Sequence, residues 1–170
     1  MSVILNASRR KFRLSRGFTL VELLVVIGII GVLATLVLVQ LGAARGRARD
    51  AKRISDISQV RSAVELYAED HSNTYPTAIS DANLGVYMAN GKVPLDPTTG
   101  AAYGYAYSPA ASPTKYQIWA ELEQTSGAKP AALNSDADLN PVGWSGTSAN
   151  GTTEACTSAA NDCIYDLGQQ

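Results

Sequence analysis

The sequence of 170 residues predicts an α+β protein in which one long amino-terminal helix, half of it hydrophobic, packs on a small antiparallel β-sheet. Three observations predict this. A run of 22 residues from Phe18 to Val39 is apolar apart from one charge, Glu22. No proline occurs between Met1 and Tyr75, and beyond the apolar run hydrophobic residues recur at spacings of three and four, the period of a one-sided helix. After Pro76 the period changes to two, in Tyr103, Tyr105 and Tyr107 and again from Lys115 to Glu123.

Charge divides the chain in the same places. Arg9, Arg10, Lys11, Arg13 and Arg16 fall within residues 1–17 with no acid among them. From His71 onward, three lysines face nine acids, a net charge of −6. An acidic body of this kind repels phosphate backbones, so direct binding of nucleic acid by charge is not expected. One histidine and two cysteines exclude a His/Cys metal cluster within one chain. With a single histidine, unclustered acids and no Gly-rich phosphate loop, no catalytic constellation can be assembled, so neither an enzyme nor a cofactor is expected.

As a helix, residues 18–39 would be about 33 Å long, enough to cross a hydrocarbon layer of about 30 Å. The run is too long for the apolar part of a secretory signal, which spans roughly 7 to 15 residues. Glu22 stands out. An acid at the bilayer centre costs about 2.5 to 3.5 kcal/mol, so it calls for a positive partner on another chain or at a new amino terminus. Beyond the run, Arg45, Arg47, Arg49, Lys52 and Arg53 read as a solvated collar facing lipid headgroups.

Ile54, Ile57, Val60, Val64 and Tyr67 form the apolar stripe of the second half, with Lys52–Asp56 and Arg61–Glu65 as exposed i,i+4 pairs. The helix is predicted to stop near residue 70, with Asn73 as a left-handed cap before Pro76 and His71 as a helix-end residue. A loop with one or two short elements follows. The tyrosine alternation predicts one strand, and Lys115–Glu123 a second whose Tyr116, Ile118, Ala120 and Leu122 face inward while Gln117, Trp119, Glu121 and Glu123 face out. From Thr125 the composition turns to Ser, Thr, Ala, Asn and Gly, read as loop-rich surface with a short strand near residues 163–167. Asp136, Asp138 and Asn140 alternate oxygen side chains that suit Ca²⁺, although an EF-hand is excluded by Pro141 and Thr147; solvated acids are the default, and no metal is expected.

Ser15-Arg16-Gly17-Phe18-Thr19-Leu20-Val21-Glu22, after a basic leader and before a long apolar helix, resembles the start of the type IV pilin and type II secretion pseudopilin superfamily. The resemblance covers about residues 9–44. It implies that a prepilin peptidase cuts between Gly17 and Phe18 and methylates the Phe18 nitrogen. The Phe18 ammonium and the Glu22 carboxylate of a neighbouring subunit then form the assembly contact. The helix-breaking proline that many relatives carry is Val39 here. Some pseudopilins of the superfamily bind Ca²⁺, and pilins carry a bridge near the carboxyl end. A chain delivered across a membrane meets oxidising conditions, so Cys156 and Cys163 are expected to be bridged, worth roughly 2.5 kcal/mol by loop entropy.

The expected organisation is therefore a leader at 1–17, a helix at 18–70 with 18–44 in the membrane or filament core, and a globular domain at 71–170. The expected role is structural: a homopolymer subunit held as a single-pass protein of the inner, cytoplasmic membrane, then assembled into an extracellular filament. A membrane assembly platform and a cytoplasmic ATPase are the implied partners besides the peptidase. The alternative is a single-pass, membrane-anchored binding protein that does not polymerise.

Overall fold

The computed structural model describes residues 17–123, 130–157 and 163–169; the leader predicted at 1–17 lies outside them except for Gly17. The chain divides into two units, residues 1–41 and 42–170. Helix α1 runs from Leu20 to Asp70. In the first unit every residue of α1 is exposed.

In the second unit the predicted stripe is the core. Ile57, Val60 and Val64 have no exposed surface, Ala63 and Ala68 join them, and Ile54 and Tyr67 pack at the margin. Each fully buried aliphatic side chain contributes roughly 1.5 to 3 kcal/mol. The helix ends as its sequence directs. Ser72 and Asn73 take left-handed backbone angles, and the Asn73 N–H donates to the Ala68 carbonyl at 2.8 Å. His71 stacks on Tyr67 with ring centres 3.8 Å apart.

A short helix α2 (Asp81–Leu84), capped by Ser80, leads through a 3₁₀ turn into the loop before the sheet. Strands β1 (Gly104–Ser108), β2 (Lys115–Glu121), β3 (Ser145–Gly146) and β4 (Ile164–Gln169) are ordered β3-β1-β2-β4, every neighbour antiparallel. Tyr105 lies opposite Ile118, and Ile118 opposite Leu167, so one row of side chains continues across three strands against α1. Gly104 has a steric reason: a Cβ there would come within 2.1 Å of the Trp119 ring.

Two expectations are corrected. The outer face of β2 is not left to solvent, because Gln117 is fully buried. Residues 139–151 cover that face: a Cβ on Gly168, opposite Gln117, would meet Leu139, and the Gln117 amide donates to Ala149 O and to Asp166 Oδ2, both at 2.8 Å. Part of the stretch read as loop-rich surface thus roofs the outer face of β2, while its Leu133 joins the main core. The helix acids are corrected too. Lys52 does meet Asp56, at 3.2 Å, but Asp56 is buried and takes the Tyr103 hydroxyl at 2.8 Å. Glu65 makes no ion pair with Arg61 among the described residues; it accepts the hydroxyls of Tyr75 and Tyr116. Of these tyrosines Tyr116 lies on β2, and its hydroxyl ties that strand to α1 by a polar contact.

Candidate functional site

Three groups of residues carry chemistry beyond packing. The first is the start of α1. The Thr19 carbonyl accepts the first helical bond, from Leu23 N–H at 3.2 Å. Glu22 Oε2 accepts from the Thr19 amide at 2.8 Å and from the Thr19 hydroxyl at 2.6 Å, while the Glu22 amide donates back to Thr19 Oγ1 at 3.2 Å. This is a reciprocal capping box, the Thr-x-x-Glu pattern at a helix start. The carboxylate that was expected to need a positive partner is therefore met first within its own chain, by two hydrogen bonds from Thr19. Reading the sequence for charge alone missed Thr19, although the four-residue signature was there to be seen. Phe18 is 79% exposed just before this cap, and a side chain added at Gly17 would meet nothing within 4 Å. Further along, the Thr35 hydroxyl donates to the Val32 carbonyl at 2.8 Å and so brings no unmet donor to the apolar half.

The second group is an ion network at the foot of the globular domain. Arg53 is only 3% exposed and donates to Asp50 at 2.8 Å and to Asp96 at 2.6 Å; its guanidinium also meets Glu123 at 2.6 Å and the Thr98 hydroxyl at 3.0 Å. Arg49 makes a two-pronged contact with Glu123. The Glu123 amide in turn donates to Asp50 Oδ1 at 2.8 Å. The hydrogen bond from Arg49, with help from Thr98 and Arg53, holds the Glu123 carboxyl down to about 2. Burial alone would raise Asp96, but the bonds from Arg53 and the amides of Thr99 and Thr98 hold it well below the carboxylate range. The predicted collar is accordingly divided. Arg49 and Arg53 belong to the fold, whereas Arg45 and Arg47 remain exposed.

The third group gathers acids on the covered face of the sheet. Oxygens of Asp136, Asp138 and Glu154 lie within 4.8 Å of one another. Asp166, with no exposed surface, lies among the same residues: its amide donates to Asp136 Oδ2 at 3.3 Å, its Oδ2 accepts from the Leu139 amide at 3.0 Å, and its Oδ1 has no partner. Gly151 presses on that carboxylate so closely that a Cβ would fall 2.4 Å from it. Asp136 Oδ1 is also buried without a partner. Burial pushes the Asp136 carboxyl up to about 7, and the charges of Asp166, Asp138 and Glu154 add to the rise. Oxygens on opposite sides of a Ca²⁺ ion stand up to about 5 Å apart, given bond lengths of 2.3–2.6 Å, so the spacing and the all-oxygen set fit Ca²⁺ better than Mg²⁺ or Zn²⁺. Of the residues predicted for such a site, Asp136 and Asp138 converge. Asn140 is exposed, and the further donor is Glu154, 14 residues away from it in sequence and invisible to local spacing.

Beside this group Cys156 and Cys163 are joined in a disulfide, seven residues apart and both buried.

Comparison with known proteins places the amino-terminal group. The family model described as the prokaryotic N-terminal methylation motif matches residues 12–38. The type II secretion system core protein G of Dickeya chrysanthemi is 39% identical over 93 residues, 55% of this chain and 59% of that protein. Its counterpart from Pectobacterium carotovorum subsp. carotovorum is 37% identical over 105 residues, 61% of this chain and 65% of that protein. The type IV wide pilus major component PilA4 of Thermus thermophilus is 31% identical over 93 residues, 55% of this chain and 71% of that protein. The chain thus spans about six-tenths of the length of the two secretion proteins. No solved structure matches it.

Proposed function

The chain belongs to the type IV pilin and type II secretion pseudopilin superfamily, and from that membership we propose that it is cleaved after Gly17, methylated on the Phe18 nitrogen and assembled into an extracellular filament. It is a pilin-like structural subunit and not an enzyme. The observation that carries the reading is the pairing of a capped Glu22 with an apolar half-helix that is exposed along its whole length among the described residues. Lipid covers that half before assembly, and the same halves of other copies cover it afterwards. Cleavage adds an ammonium at Phe18, and a Glu22 carboxylate from a neighbouring copy is its complement in a medium where neither charge can stay unpaired. A prepilin peptidase, a membrane platform and a cytoplasmic ATPase complete the cycle, since nothing in the sequence supplies cleavage or force.

The test is to determine the amino terminus of the protein from its native membrane by mass spectrometry and to examine surface shear fractions by electron microscopy. Methylated Phe18 in filaments is the expected result. An uncleaved chain with no filament would instead establish the membrane-anchored binding protein.

The buried, unpartnered oxygens of Asp136 and Asp166 favour a second reading, that Asp136, Asp138 and Glu154 hold one Ca²⁺ ion in the globular domain, beside the buried Asp166. Calorimetric titration of the full chain in detergent with CaCl₂ tests it, and absence of heat or of saturation refutes it.

A further inference from the structure

The disulfide and the acidic group share their backbone. Glu154 enters the group from a segment that pairs with the start of β4: Glu154 forms an antiparallel bridge with Cys163, and the Ile164 amide donates to the Thr153 carbonyl at 3.1 Å. Cys156 follows Glu154 by two residues, and Asp166 follows Cys163 by three. The cross-link therefore joins the segment that supplies one oxygen donor, Glu154, to the start of the strand that carries the buried Asp166. It also holds Cys156 at φ 48°, a left-handed angle that a residue with a Cβ leaves when nothing constrains it. On the other side of β4, the Leu122 amide donates to the Cys163 carbonyl at 2.9 Å, so the Cys163 end is anchored in the sheet and the cross-link adds a covalent restraint to the backbone pairing of the Glu154 segment.

We infer that the Cys156–Cys163 disulfide is the positioning element of the Ca²⁺ site, so that cation binding and the redox state of the two cysteines are thermodynamically linked. The inference rests on the Ca²⁺ reading given above. With the bridge closed, Glu154 is held over Asp136, Asp138 and the buried Asp166. Reduction, in which the sulfur–sulfur bond takes up two electrons and two protons to give two thiols, removes that covalent restraint and loosens the placement of Glu154. Linkage works equally in both directions: whatever factor the bridge adds to Ca²⁺ affinity, bound Ca²⁺ adds to the bridge's resistance to reduction. A subunit that reaches an oxidising, Ca²⁺-containing exterior thus locks both features together, and each protects the other there.

Two measurements on the full chain in detergent test this. Ca²⁺ affinity by calorimetry should be about fivefold or more weaker in Cys156→Ser/Cys163→Ser than in the oxidised wild type. Independently of any variant, the wild-type disulfide is equilibrated with mixtures of reduced and oxidised dithiothreitol, in saturating CaCl₂ and in EDTA. A fivefold coupling makes the midpoint about 20 mV more negative with Ca²⁺. In Glu154→Gln the midpoints in CaCl₂ and in EDTA should coincide with each other, which a purely structural bridge would not produce. Equal affinities in the bridged and serine chains, or coincident midpoints with and without Ca²⁺, overturn the linkage and leave the cation site standing. Failure of the oxidised wild type to bind Ca²⁺ removes the site and the linkage together.

Discussion

Between Leu20 and Leu41, α1 buries nothing, and its polar contacts among the described residues are a cap at one end and a threonine turned onto its own backbone. Between Asp50 and Ala68 the same helix buries eight residues, three of them charged, and those three have partners in the chain itself. The difference lies in where the covering surface comes from. The second half carries its own cover in the sheet, so its charges can be matched within one chain. The first half must find cover in lipid or in other copies, and a polar group there has to be satisfied locally, as Thr35 is, or be used for recognition between chains. Glu22 does both.

The sharpest way to break this contrast is at Glu22. Glu22→Val removes an acid that is costly in lipid, so insertion and cleavage should proceed normally and the globular domain should melt as in the wild type. Assembly should be abolished, because each Phe18 ammonium carried into an apolar filament core would lack its counter-charge at a cost of several kcal/mol, about the penalty of an unpaired buried ion. Shear-fraction yield measures this. Wild-type yield would show that Glu22 is only a helix cap.

The converse test strikes the half that covers itself. Arg53→Met leaves Asp50, Asp96 and Glu123 facing one another around an apolar side chain, and should cost about 3–5 kcal/mol of domain stability in denaturant unfolding. Membrane insertion and cleavage at Gly17 should be unaffected. Loss of less than about 1 kcal/mol would mean that the network is solvated and that Arg49 alone suffices.

The two halves also differ in how much of them could be read from sequence. The apolar run follows from composition, since such a helix needs only its own residues to declare itself. The stripe Ile57, Val60 and Val64 and the alternation of β1 and β2 were legible for the same reason, as short-range periods. What escaped was cover supplied from far along the chain. Gln117 sits at an outward position of β2 and was read as exposed, because the segment that buries it is rich in Ser, Thr, Ala and Gly and announces no core. Glu65 was assigned to Arg61 on helical spacing, whereas Tyr75 and Tyr116 reach it from beyond the helix. Strand β3, at two residues, is too short to show any period. Thr19 differs in kind, since its partner Glu22 is only three residues away and the Thr-x-x-Glu pattern is local.

A pH series sharpens the comparison within the globular domain. Without Ca²⁺, Asp136 titrates at about 7 when folded against an ordinary 3.8, so the folded state binds its proton more tightly and stability should rise as pH falls from 8 to 5. Glu123 acts in the opposite sense. Held down to about 2 from 4.5, it contributes stability that is complete above pH 4.5 and is lost as pH falls below that. The melting temperature of the EDTA-treated chain should therefore peak between about pH 4 and 6. Saturating Ca²⁺ should lift the pH 8 value by about 4 °C or more and flatten the slope above pH 5, since the ion takes the place of the proton. An unchanged slope in Ca²⁺ would place the ion elsewhere.

The smallest effect is expected at Thr19, and it separates the two duties of Glu22. Thr19→Ala removes the hydroxyl that donates to Glu22 Oε2 and accepts from the Glu22 amide, but leaves the carboxylate and the Thr19-position amide in place. Losing such a cap costs about 1 kcal/mol, confined to the first turn. Hydrogen exchange at the Glu22 amide of the cleaved protein in detergent should accelerate about fivefold, the factor that corresponds to 1 kcal/mol, with amides from Ile57 to Val64 unchanged. Thr19→Ser keeps the hydroxyl and should exchange like the wild type. Because the counter-charge for Phe18 survives in Thr19→Ala, filaments should still form, in contrast to Glu22→Val. Complete loss of filaments from Thr19→Ala would mean that the capped carboxylate, and not its charge alone, is what a neighbouring subunit recognises.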